Sequence, residues 1–178
     1  MKIIDQIISN YLNNKSLYIG EKVTMSEHMI QTAMLAEKTN CSSNLVCSSL
    51  LHDYGHFILE NPDELIAENK DGKHEDVGCA FLEKYFIEDV LGPIKYHVKA
   101  KKYLAREKKY YRLLSKASKI SLKLQGGIMN NEEAKKFESN KFFKNSIKLR
   151  KFDEIAKKFN LKIKSINEYK NLLTSKLI

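Results

Sequence analysis

Apolar residues recur at helical spacing along most of this chain, and the breaks between them carry polar or turn-forming residues. Residues 2–13 place four isoleucines and a tyrosine on one face, which predicts a first amphipathic helix. The irregular segment 14–23 follows, and the run from Thr24 to Glu27 then has the form of a capping box. A second helix is therefore expected from about residue 25 to Asn40, with a histidine in its first turn.

The same pattern predicts the remaining elements. Residues 43–52 are small and apolar almost all round, as in a buried central helix, which we expect to end at Gly55. Residues 60–73 are polar and rich in helix breakers, which predicts a loop with at most one short helix. Further helices are expected over 74–86, from Gly92-Pro93 to Arg106, from Ser115 to Gly126-Gly127, from Asn131 onward, over 142–159 and over 163–177.

Composition supports an all-α fold in one domain. The 178 residues are enough for one compact core, and no segment resembles a linker. With 43% apolar residues, 2 prolines and 7 glycines, the chain favours helices over a strand-rich sandwich, which needs frequent turn residues. We expect a single domain over 1–178, with its core at about 18–158 and a helical C-terminal extension over 160–178.

Cysteine usage and hydropathy indicate the compartment. Cys41, Cys47 and Cys79 are irregularly spaced and include no CxxC pair, so we expect reduced core thiols. The N-terminal apolar run is interrupted by Lys2 and Asp5, and no apolar stretch reaches the about 18 residues that a membrane helix needs. The protein is therefore expected to be cytoplasmic, with no membrane partner.

Charge is unevenly distributed along the chain. Residues 1–94 carry 7 Lys+Arg against 15 Asp+Glu, whereas residues 95–178 carry 24 against 7. The basic half is compatible with nucleic acid, with an anionic small substrate, or with a solvated lysine-rich helical surface. We expect the solvated surface rather than a nucleic-acid partner, because the basic residues are not clustered with aromatic ones.

The five histidines all fall between positions 28 and 97. Four lie on separate predicted helices, and Asp53 directly follows one of them; the four are His28, His52, His74 and His97. Facing helices of a bundle can each donate an inward side chain to a metal, and imidazole with carboxylate suits iron, manganese or zinc. The concentration of histidines argues for a metalloenzyme.

His28, the pair His52-Asp53 and Asp153 resemble the H…HD…D signature of the HD-domain superfamily, an all-helical fold of metal-dependent phosphohydrolases. The additional His74 and His97 resemble the subset of that superfamily that binds two metals. Within this subset the chain is most similar to the PhnZ-type phosphonate oxygenases, which are mixed-valent diiron enzymes related to myo-inositol oxygenase. The resemblance implies a single HD-domain helical bundle with a central dinuclear metal site.

Motifs outside the ligands carry the narrower resemblance, which covers about residues 18 to 158. The most specific motif surrounds His97 and runs from Gly92-Pro93-Ile94 to Lys101-Lys102-Tyr103-Leu104. The others are Leu114-Ser115 with Ala117-Ser118, Leu124-Gln125-Gly126-Gly127, Glu132-Glu133-Ala134 and Leu149-Arg150-Lys151-Phe152-Asp153. Tyr54 departs from the pattern, because such proteins often carry isoleucine between the His-Asp pair and the following glycine.

The resemblance implies a ligand set and cofactors. Two iron ions in the mixed-valent Fe(II)/Fe(III) state would bind, with dioxygen as co-substrate. Asp53 would bridge the irons, and one iron would be completed by His28, His52 and Asp153. The other iron would be held by His74 and His97.

The resemblance also implies groups that contact the substrate. Lys101 lies four residues after His97, on the same helix face, where it would neutralise a phosphonate. Ser118, Ser121 and Gln125 would surround the phosphonate, although Ser121 equally fits an ordinary helix-start residue. His56 would contact the substrate or support a ligand, and its alternative role is a hydrogen bond at a helix end.

Tyr18 and Glu21 lie before the His28 helix, at the spacing where this group of oxygenases carries a mobile tyrosine and glutamate. In that group the tyrosine occupies an iron until substrate displaces it. On residue chemistry alone, the two would be a surface tyrosine and a first-turn carboxylate.

The implied activity is oxidative cleavage of the carbon–phosphorus bond of a small 1-hydroxyphosphonate. Candidate substrates are 2-amino-1-hydroxyethylphosphonate and its N-methylated analogue, which would give an amino acid and phosphate. One alternative is a metal-dependent HD-superfamily phosphohydrolase that acts on a phosphate monoester or nucleotide. Another is a nucleic-acid or regulatory binding module that uses the basic half. The amine substituent and the oligomeric state stay open.

Overall fold

The computed structural model describes residues 2–18, 20–59 and 71–178. These residues form helices joined by short connections, and the extended pairing among them is limited to two isolated bridges, Leu17 with Thr24 and Phe86 with Leu177. The all-α prediction is confirmed. The loop predicted over 60–73 falls largely on residues 60–70, which lie outside the described residues.

The helices are numbered in chain order over the described residues. They are α1 (Ile3–Asn13), α2 (Met25–Lys38), α3 (Ser43–Leu51), α4 (Gly55–Ile58), α5 (His74–Leu82), α6 (Glu88–Leu104), α7 (Lys108–Leu113), α8 (Lys116–Leu124), α9 (Asn131–Glu138), α10 (Phe143–Ile155), a 3-10 turn (Ile166–Tyr169) and α11 (Lys170–Thr174).

Capping interactions fix where several helices begin. At α2 the Glu27 amide donates to the Thr24 hydroxyl over 3.1 Å, and the Thr24 amide donates back to the Glu27 carboxylate over 2.7 Å. Ser115 caps α8 in the same manner by accepting the Ser118 amide at 3.2 Å. Such caps contribute about 1 kcal/mol each, so both predicted helix starts have a local physical cause.

The core forms where α2, α3, α6 and α10 pack on one another. α10 packs most extensively on α6, and α2 packs most extensively on α3. The small residues of α3 allow this close approach; the Ser48 hydroxyl, for example, donates to the Val90 carbonyl of α6 over 2.7 Å. The four helices therefore bring their inward side chains to one place at the centre of the bundle.

Two glycines allow α4 and α5 to meet backbone to backbone. A Cβ atom on Gly55 would lie 1.9 Å from the His74 carbonyl oxygen, and one on Gly78 would lie 3.0 Å from the Gly55 nitrogen. No side chain fits at Gly55 without moving α5. This contact places the first residue of α5, a histidine, beside the end of α3.

Several predicted helix boundaries were wrong because packing against other helices outweighs the local effect of glycine and proline. α6 begins at Glu88 and continues through Pro93, since Val90 and Ile94 are both fully buried and hold the first turns on the core. α3 ends at Leu51, not at Gly55, which instead opens α4. The helix predicted over 142–159 ends at Ile155.

The C-terminal residues also differ from the single helix predicted over 163–177. They form the 3-10 turn and α11, and three of their side chains, Ile166, Tyr169 and Leu173, are buried in the same core cluster as the isoleucines of α1. The short helix α7 had no counterpart in the prediction. The termini of the chain therefore pack together against one side of the bundle.

None of the described helices is both long and apolar enough to cross a membrane. The three cysteines are free thiols, as predicted, but only Cys47 and Cys79 are buried, while Cys41 is partly exposed. Burial raises the pKa of Cys47 to about 12, so its thiol is neutral.

Candidate metal centre

The bundle brings all six predicted metal ligands together at its centre. They form two groups whose ligand atoms lie within 4.8 Å of one another. The first metal group is His28, His52 and Asp153, and the second metal group is Asp53, His74 and His97. Each group draws on three different parts of the chain, so the arrangement exists only in the folded bundle.

Asp53 lies between the two groups and turns one carboxylate oxygen toward each. Its Oδ2 is 3.4 Å from Nε2 of His52 and 3.6 Å from Nε2 of His28. Its Oδ1 is 3.2 Å from Nε2 of His74 and 3.4 Å from Nε2 of His97. A carboxylate in this position is suited to bridge two metal ions, with one oxygen on each.

The histidine tautomers favour metal binding. The Nδ1 atoms of three rings lie close to main-chain carbonyl oxygens: His28 to Ala156 at 2.9 Å, His52 to Ser49 at 2.9 Å and His97 to Ile94 at 2.6 Å. An Nδ1–H that donates to a carbonyl leaves a lone pair on Nε2, which is the form that binds a metal. All three rings are thereby oriented with Nε2 toward the centre.

Pairs of these nitrogens lie at distances that fit either a hydrogen bond or a shared cation. The Nε2 atoms of His28 and His52 are 3.2 Å apart, and those of His74 and His97 are 3.0 Å apart. If both Nε2 atoms of a pair carry lone pairs, they repel each other unless a cation lies near them. The donor set therefore fits metal ions on chemical grounds.

Asp153 gives a second, independent indication of a metal ion. Its Oδ2 accepts a hydrogen bond from the guanidinium of Arg150, whereas its Oδ1 is buried, has no hydrogen-bond donor within the described part of the chain and lies 3.4 Å from Nε2 of His28. A buried carboxylate oxygen without a partner is costly and calls for a ligand. Imidazole and carboxylate together suit a first-row transition metal such as iron.

The pKa values of the site residues depend on burial and on the charged groups packed around them. Burial opposes ionisation of Asp153, but the Arg150 guanidinium outweighs it and holds the pKa of Asp153 well below its usual range. Burial also lowers the pKa of His52, but the neighbouring Asp53 carboxylate prevails and raises it to about 9. Burial is the main cause that lowers the pKa of His74 to about 3. Metal binding would displace the proton from His52.

A cavity of about 130 Å³ opens onto this centre. Its lining includes every residue of the second metal group but only Asp153 of the first group. Because drug-sized ligands occupy roughly 300–1,000 Å³, this cavity suits a small molecule. The other polar residues that line the cavity are Tyr18, His56, Asp71, Lys101, Ser118, Ser121, Gln125 and Arg150.

Lys101 is the cation in this cavity that the sequence singled out. Its side chain is buried, and its ammonium donates to the Ser121 hydroxyl over 2.9 Å. Burial, assisted by the positive charge of Arg150, lowers the pKa of Lys101 to about 7. A buried ammonium that lines a cavity beside metal ligands indicates a place for an anion.

The three other predicted phosphonate contacts differ in how free they are. Ser121 accepts a hydrogen bond from the Lys101 ammonium, and its own hydroxyl donates to the Ser118 carbonyl over 3.2 Å. Among the described residues, the Oε1 atom of Gln125 is buried and has no hydrogen-bond donor, and its residue lines the cavity. Ser118 lines the cavity too, but its hydroxyl donates to the Glu154 carboxylate over 3.1 Å, so its proton is already engaged.

Tyr18 and Glu21 lie in the same turn, but only the Tyr18 side chain lines the cavity. The Tyr18 ring lines the cavity and stacks on the His28 ring, with centroids 4.1 Å apart and planes 25° apart. The Glu21 amide donates to the Tyr18 carbonyl over 2.9 Å, yet its carboxylate does not line the cavity and lies 3.9 Å from the Lys157 ammonium. The structure therefore brings Tyr18 to the site but not Glu21.

His56 lies in α4, directly after α3, and lines the cavity. Its ring stacks on the His74 ring, with centroids 4.2 Å apart and planes 17° apart. Burial lowers the pKa of His56 below 6.5, which favours the neutral ring. Tyr54 points elsewhere, because its hydroxyl accepts a hydrogen bond from Asn10 of α1 over 2.7 Å.

Arg150 is a site residue that sequence reasoning did not single out. It is buried, contacts the carboxylates of Asp153 and Glu154, and donates to the Tyr110 hydroxyl over 3.0 Å. The available signal was its spacing, because residues three and four positions apart on a helix are neighbours. Arg150 thus compensates the charge of a metal-group carboxylate and also lines the cavity.

Comparison with known proteins gives the family of this chain. The HD-domain family model matches residues 25–136, which include every histidine and Asp53 but not Asp153. A [1-hydroxy-2-(trimethylamino)ethyl]phosphonate dioxygenase (glycine-betaine-forming) of Leisingera caerulea is 41% identical, over 81% of this chain and 74% of that protein. A hydroxymethylphosphonate dioxygenase of Gimesia maris is 39% identical, over 85% of this chain and 77% of that protein.

Proposed function

Because this chain belongs to the HD-domain family and is similar to its phosphonate dioxygenases, we propose that it cleaves the carbon–phosphorus bond of a small 1-hydroxyphosphonate with dioxygen. One observation carries the proposal: a single small cavity holds the buried ammonium of Lys101 beside ligand atoms of both metal groups. The metal ligands alone would serve a hydrolase equally well. The cavity adds a cation where a phosphonate or phosphate dianion would bind, and the similarity to the two phosphonate dioxygenases favours the phosphonate.

The proposed cofactor is a pair of iron ions in the Fe(II)/Fe(III) state. His28, His52 and Asp153 would hold one ion, His74 and His97 the other, and Asp53 both. When bound, such a pair supplies the one-electron chemistry that dioxygen requires. The histidine and carboxylate donors suit iron, and the opening of the cavity onto the second metal group leaves room for small molecules beside it.

The chain's own residues would bind and orient the substrate. The Lys101 ammonium would pair with a phosphonate oxygen, and the incoming negative charge would raise its pKa and keep it protonated. The Ser121 hydroxyl and the side-chain N–H donors of Gln125, which lines the cavity, would complete the polar contacts. The buried walls would exclude water, which strengthens these interactions.

The proposed reaction balances with dioxygen alone. A 1-hydroxyphosphonate R–CH(OH)–PO₃H₂ and one dioxygen give R–COOH and H₃PO₄. The carbon loses its bonds to hydrogen and phosphorus and rises from the alcohol to the acid level, while phosphorus leaves as phosphate. The oxygen molecule takes up the four electrons, so no external reductant is needed.

Phosphate release with and without dioxygen tests this function. Iron-loaded protein would be incubated with hydroxymethylphosphonate, 2-amino-1-hydroxyethylphosphonate and its trimethylammonium analogue, and the products followed by phosphorus NMR. We expect phosphate only when dioxygen is present, with oxygen-18 from labelled dioxygen recovered in the products. The Asp53→Asn variant, which lacks the shared carboxylate, is the negative control.

Two results would overturn the proposal. One is phosphate release from a hydroxyphosphonate at an undiminished rate under strict anaerobiosis. The other is rapid hydrolysis of phosphate monoesters or nucleotides by protein that leaves all three hydroxyphosphonates intact, which would assign the site to the hydrolases of the family.

A further inference from the structure

One histidine of the metal groups lacks the support that the other three share. The rings of His28, His52 and His97 each direct Nδ1 at a main-chain carbonyl oxygen, at 2.9, 2.9 and 2.6 Å. His74 makes no such contact among the described residues. Without a contact at Nδ1, this ring is positioned by its stacking on His56 and by the groups near Nε2, so a further contact would fix its orientation for metal binding.

The carboxylate of the next residue lies near Nδ1 of this ring. Oε2 of Glu75 lies 3.6 Å from Nδ1 of His74, and the two side chains are each 12% exposed. Within the described residues Oε2 of Glu75 is buried and has no hydrogen-bond donor. A hydrogen bond to a carboxylate is about 2.8 Å long, so a shift of less than about 1 Å would form one.

The backbone at the start of α5 cannot supply this adjustment. Lys73 adopts the left-handed conformation, with φ of 47°, and its amide donates to Asp71 Oδ1 over 3.1 Å. On the other side the His74 carbonyl packs against Gly55, where even a Cβ atom would come within 1.9 Å. The main chain is therefore fixed, and the ring orientation depends on its side-chain neighbours.

We propose that Glu75 is the positioning residue of the second metal group. When a metal ion binds Nε2 of His74, the Glu75 carboxylate accepts the Nδ1–H, fixes the ring and strengthens Nε2 as a donor. The pairing of a carboxylate with a metal-bound imidazole is a general device for tuning metal affinity. This inference rests on the metal centre of the proposed function but not on its substrate.

A metal titration of the full-length apoprotein tests the role of Glu75 without any catalytic turnover. Cobalt(II) would be titrated under anaerobic conditions into the wild type, Glu75→Ala, Glu75→Gln and Asp76→Asn, and binding followed by calorimetry and visible absorption. Asp76 is the matched control, because it is an exposed carboxylate in the same helical turn.

We expect two equivalents in the wild type, and in Glu75→Ala one equivalent of unchanged affinity and a second weakened by roughly 10–100-fold. Glu75→Gln should weaken the second equivalent less, because its amide oxygen still accepts the Nδ1–H but carries no charge. Asp76→Asn should match the wild type.

The imidazole N–H signals of the cobalt-loaded protein give a second, direct readout. Protons on metal-bound rings are shifted out of the protein envelope, and those held in hydrogen bonds exchange slowly with water. We expect the His74 Nδ1–H signal to be lost to exchange in Glu75→Ala, while the signals of the other three ligand rings persist.

Equal weakening of both equivalents in Glu75→Ala, an Asp76→Asn variant that loses as much, or an unchanged His74 signal would each overturn the proposal. If Glu75→Ala does not fold, the metal titration of Glu75→Gln decides, and a second equivalent with the affinity of the wild type would overturn the proposal. Failure of the oxygenase assay with this metal pattern intact would refute the proposed reaction alone.

Discussion

The two metal groups use the same donors and share Asp53, yet the protein supports them differently. Every residue of the first group is buried, and both of its rings are held by main-chain carbonyl oxygens. The second group includes His74, which is partly exposed, starts a nine-residue helix and, among the described residues, has a side-chain carboxylate but no main-chain carbonyl near its Nδ1. Main-chain carbonyls therefore hold both rings of the first, rigid group, whereas one ring of the second, adjustable group depends on a side chain.

The cavity explains why this difference is useful. It is lined by all of the second group but by neither His28 nor His52. A metal in the first group would be enclosed by protein, whereas a metal in the second would face the space where substrate binds. The rigid group suits retention of a metal, and the adjustable group suits a metal whose ligands change during a reaction. The predictions below test this division.

Loss of Asp53 should have the largest effect, because it belongs to both groups. In Asp53→Ala we expect neither group to retain a metal tightly. Activity should fall by about a thousandfold or more, since a metal contributes several kcal/mol of transition-state stabilisation. Metal content after gel filtration and phosphate release under dioxygen measure both effects.

The matched variant for this prediction is Asp153→Asn, which should impair only the first group. An Asp53→Ala protein that still held two ions with the affinity of the wild type would show that the carboxylate bridges nothing.

A substitution that crowds Gly55 should weaken metal binding by the second group and not by the first. Gly55→Ala would push against the His74 carbonyl and displace α5, so we expect roughly a hundredfold weaker binding of the second metal and a loss of about 1–3 kcal/mol in unfolding free energy. The first metal should bind as in the wild type. Cobalt titration and thermal unfolding provide the measurements.

Gly92→Ala is the control for this substitution. A Cβ atom there would lie 2.3 Å from the Phe142 ring, so the crowding falls on that side chain and not on the His74 main chain. It should lower the unfolding free energy without singling out the second metal. Selective loss of the second metal in Gly92→Ala, or of the first in Gly55→Ala, would contradict the division.

Lys101 should strengthen substrate binding but lower the stability of the fold. In Lys101→Met we expect phosphonate to bind about 2 kcal/mol more weakly, or roughly thirtyfold. The metal-free variant should nevertheless unfold at a higher temperature than the wild type near pH 6, because the buried ammonium costs several kcal/mol. Isothermal calorimetry with hydroxymethylphosphonate and thermal unfolding check the two effects.

The pH dependence of that difference has a definite sign. The pKa of Lys101 falls from 10.5 to about 7 on folding, so the unfolded chain binds more protons between these values. The unfolding free energy of the wild type therefore gains a contribution that rises with pH over this range. The advantage of Lys101→Met should be full below about pH 7 and should shrink as pH rises toward 10.5. An advantage that grows with pH would contradict the lowered pKa.

Gln31 should give the smallest effect, because it supports the first group only indirectly. Its amide donates to the Lys158 carbonyl over 2.9 Å and accepts the Lys158 amide at 3.0 Å, two residues beyond the carbonyl that faces His28. Gln31→Leu should lower the unfolding free energy by about 1–2 kcal/mol. First-metal affinity should fall only a few-fold, because the Ala156 amide still donates to the Phe152 carbonyl at 2.9 Å. A change confined to the second metal in the cobalt titration would count against this view.

Much of the centre could be predicted because it depends on residue type and helical phase. The adjacency of His52 and Asp53 and the placement of His28 after the Thr24 capping box are local facts, and the fold brings these residues together. The position of Lys101 one turn after His97 likewise follows from helical spacing, and both line the cavity. Spacing along the sequence was sufficient for prediction wherever the residues concerned lie on the same helix.

Other features could not be predicted because they depend on contacts distant in sequence. The start of α6 before Pro93 follows from burial of Val90 and Ile94 against other helices. The placement of Glu21 outside the cavity depends on Lys157, which lies more than a hundred positions away. The support of three ligand rings by main-chain carbonyls leaves no trace in side-chain identity.

Anomalous diffraction at the iron edge, from crystals of anaerobically iron-loaded protein, tests the central claim most directly. Two ions should appear about 3.5–4 Å apart, as in other two-metal sites. One should lie among His28, His52 and Asp153, the other between His74 and His97, with one Asp53 oxygen on each. A single ion, or two ions that do not share Asp53, would contradict a dinuclear centre built from these two groups.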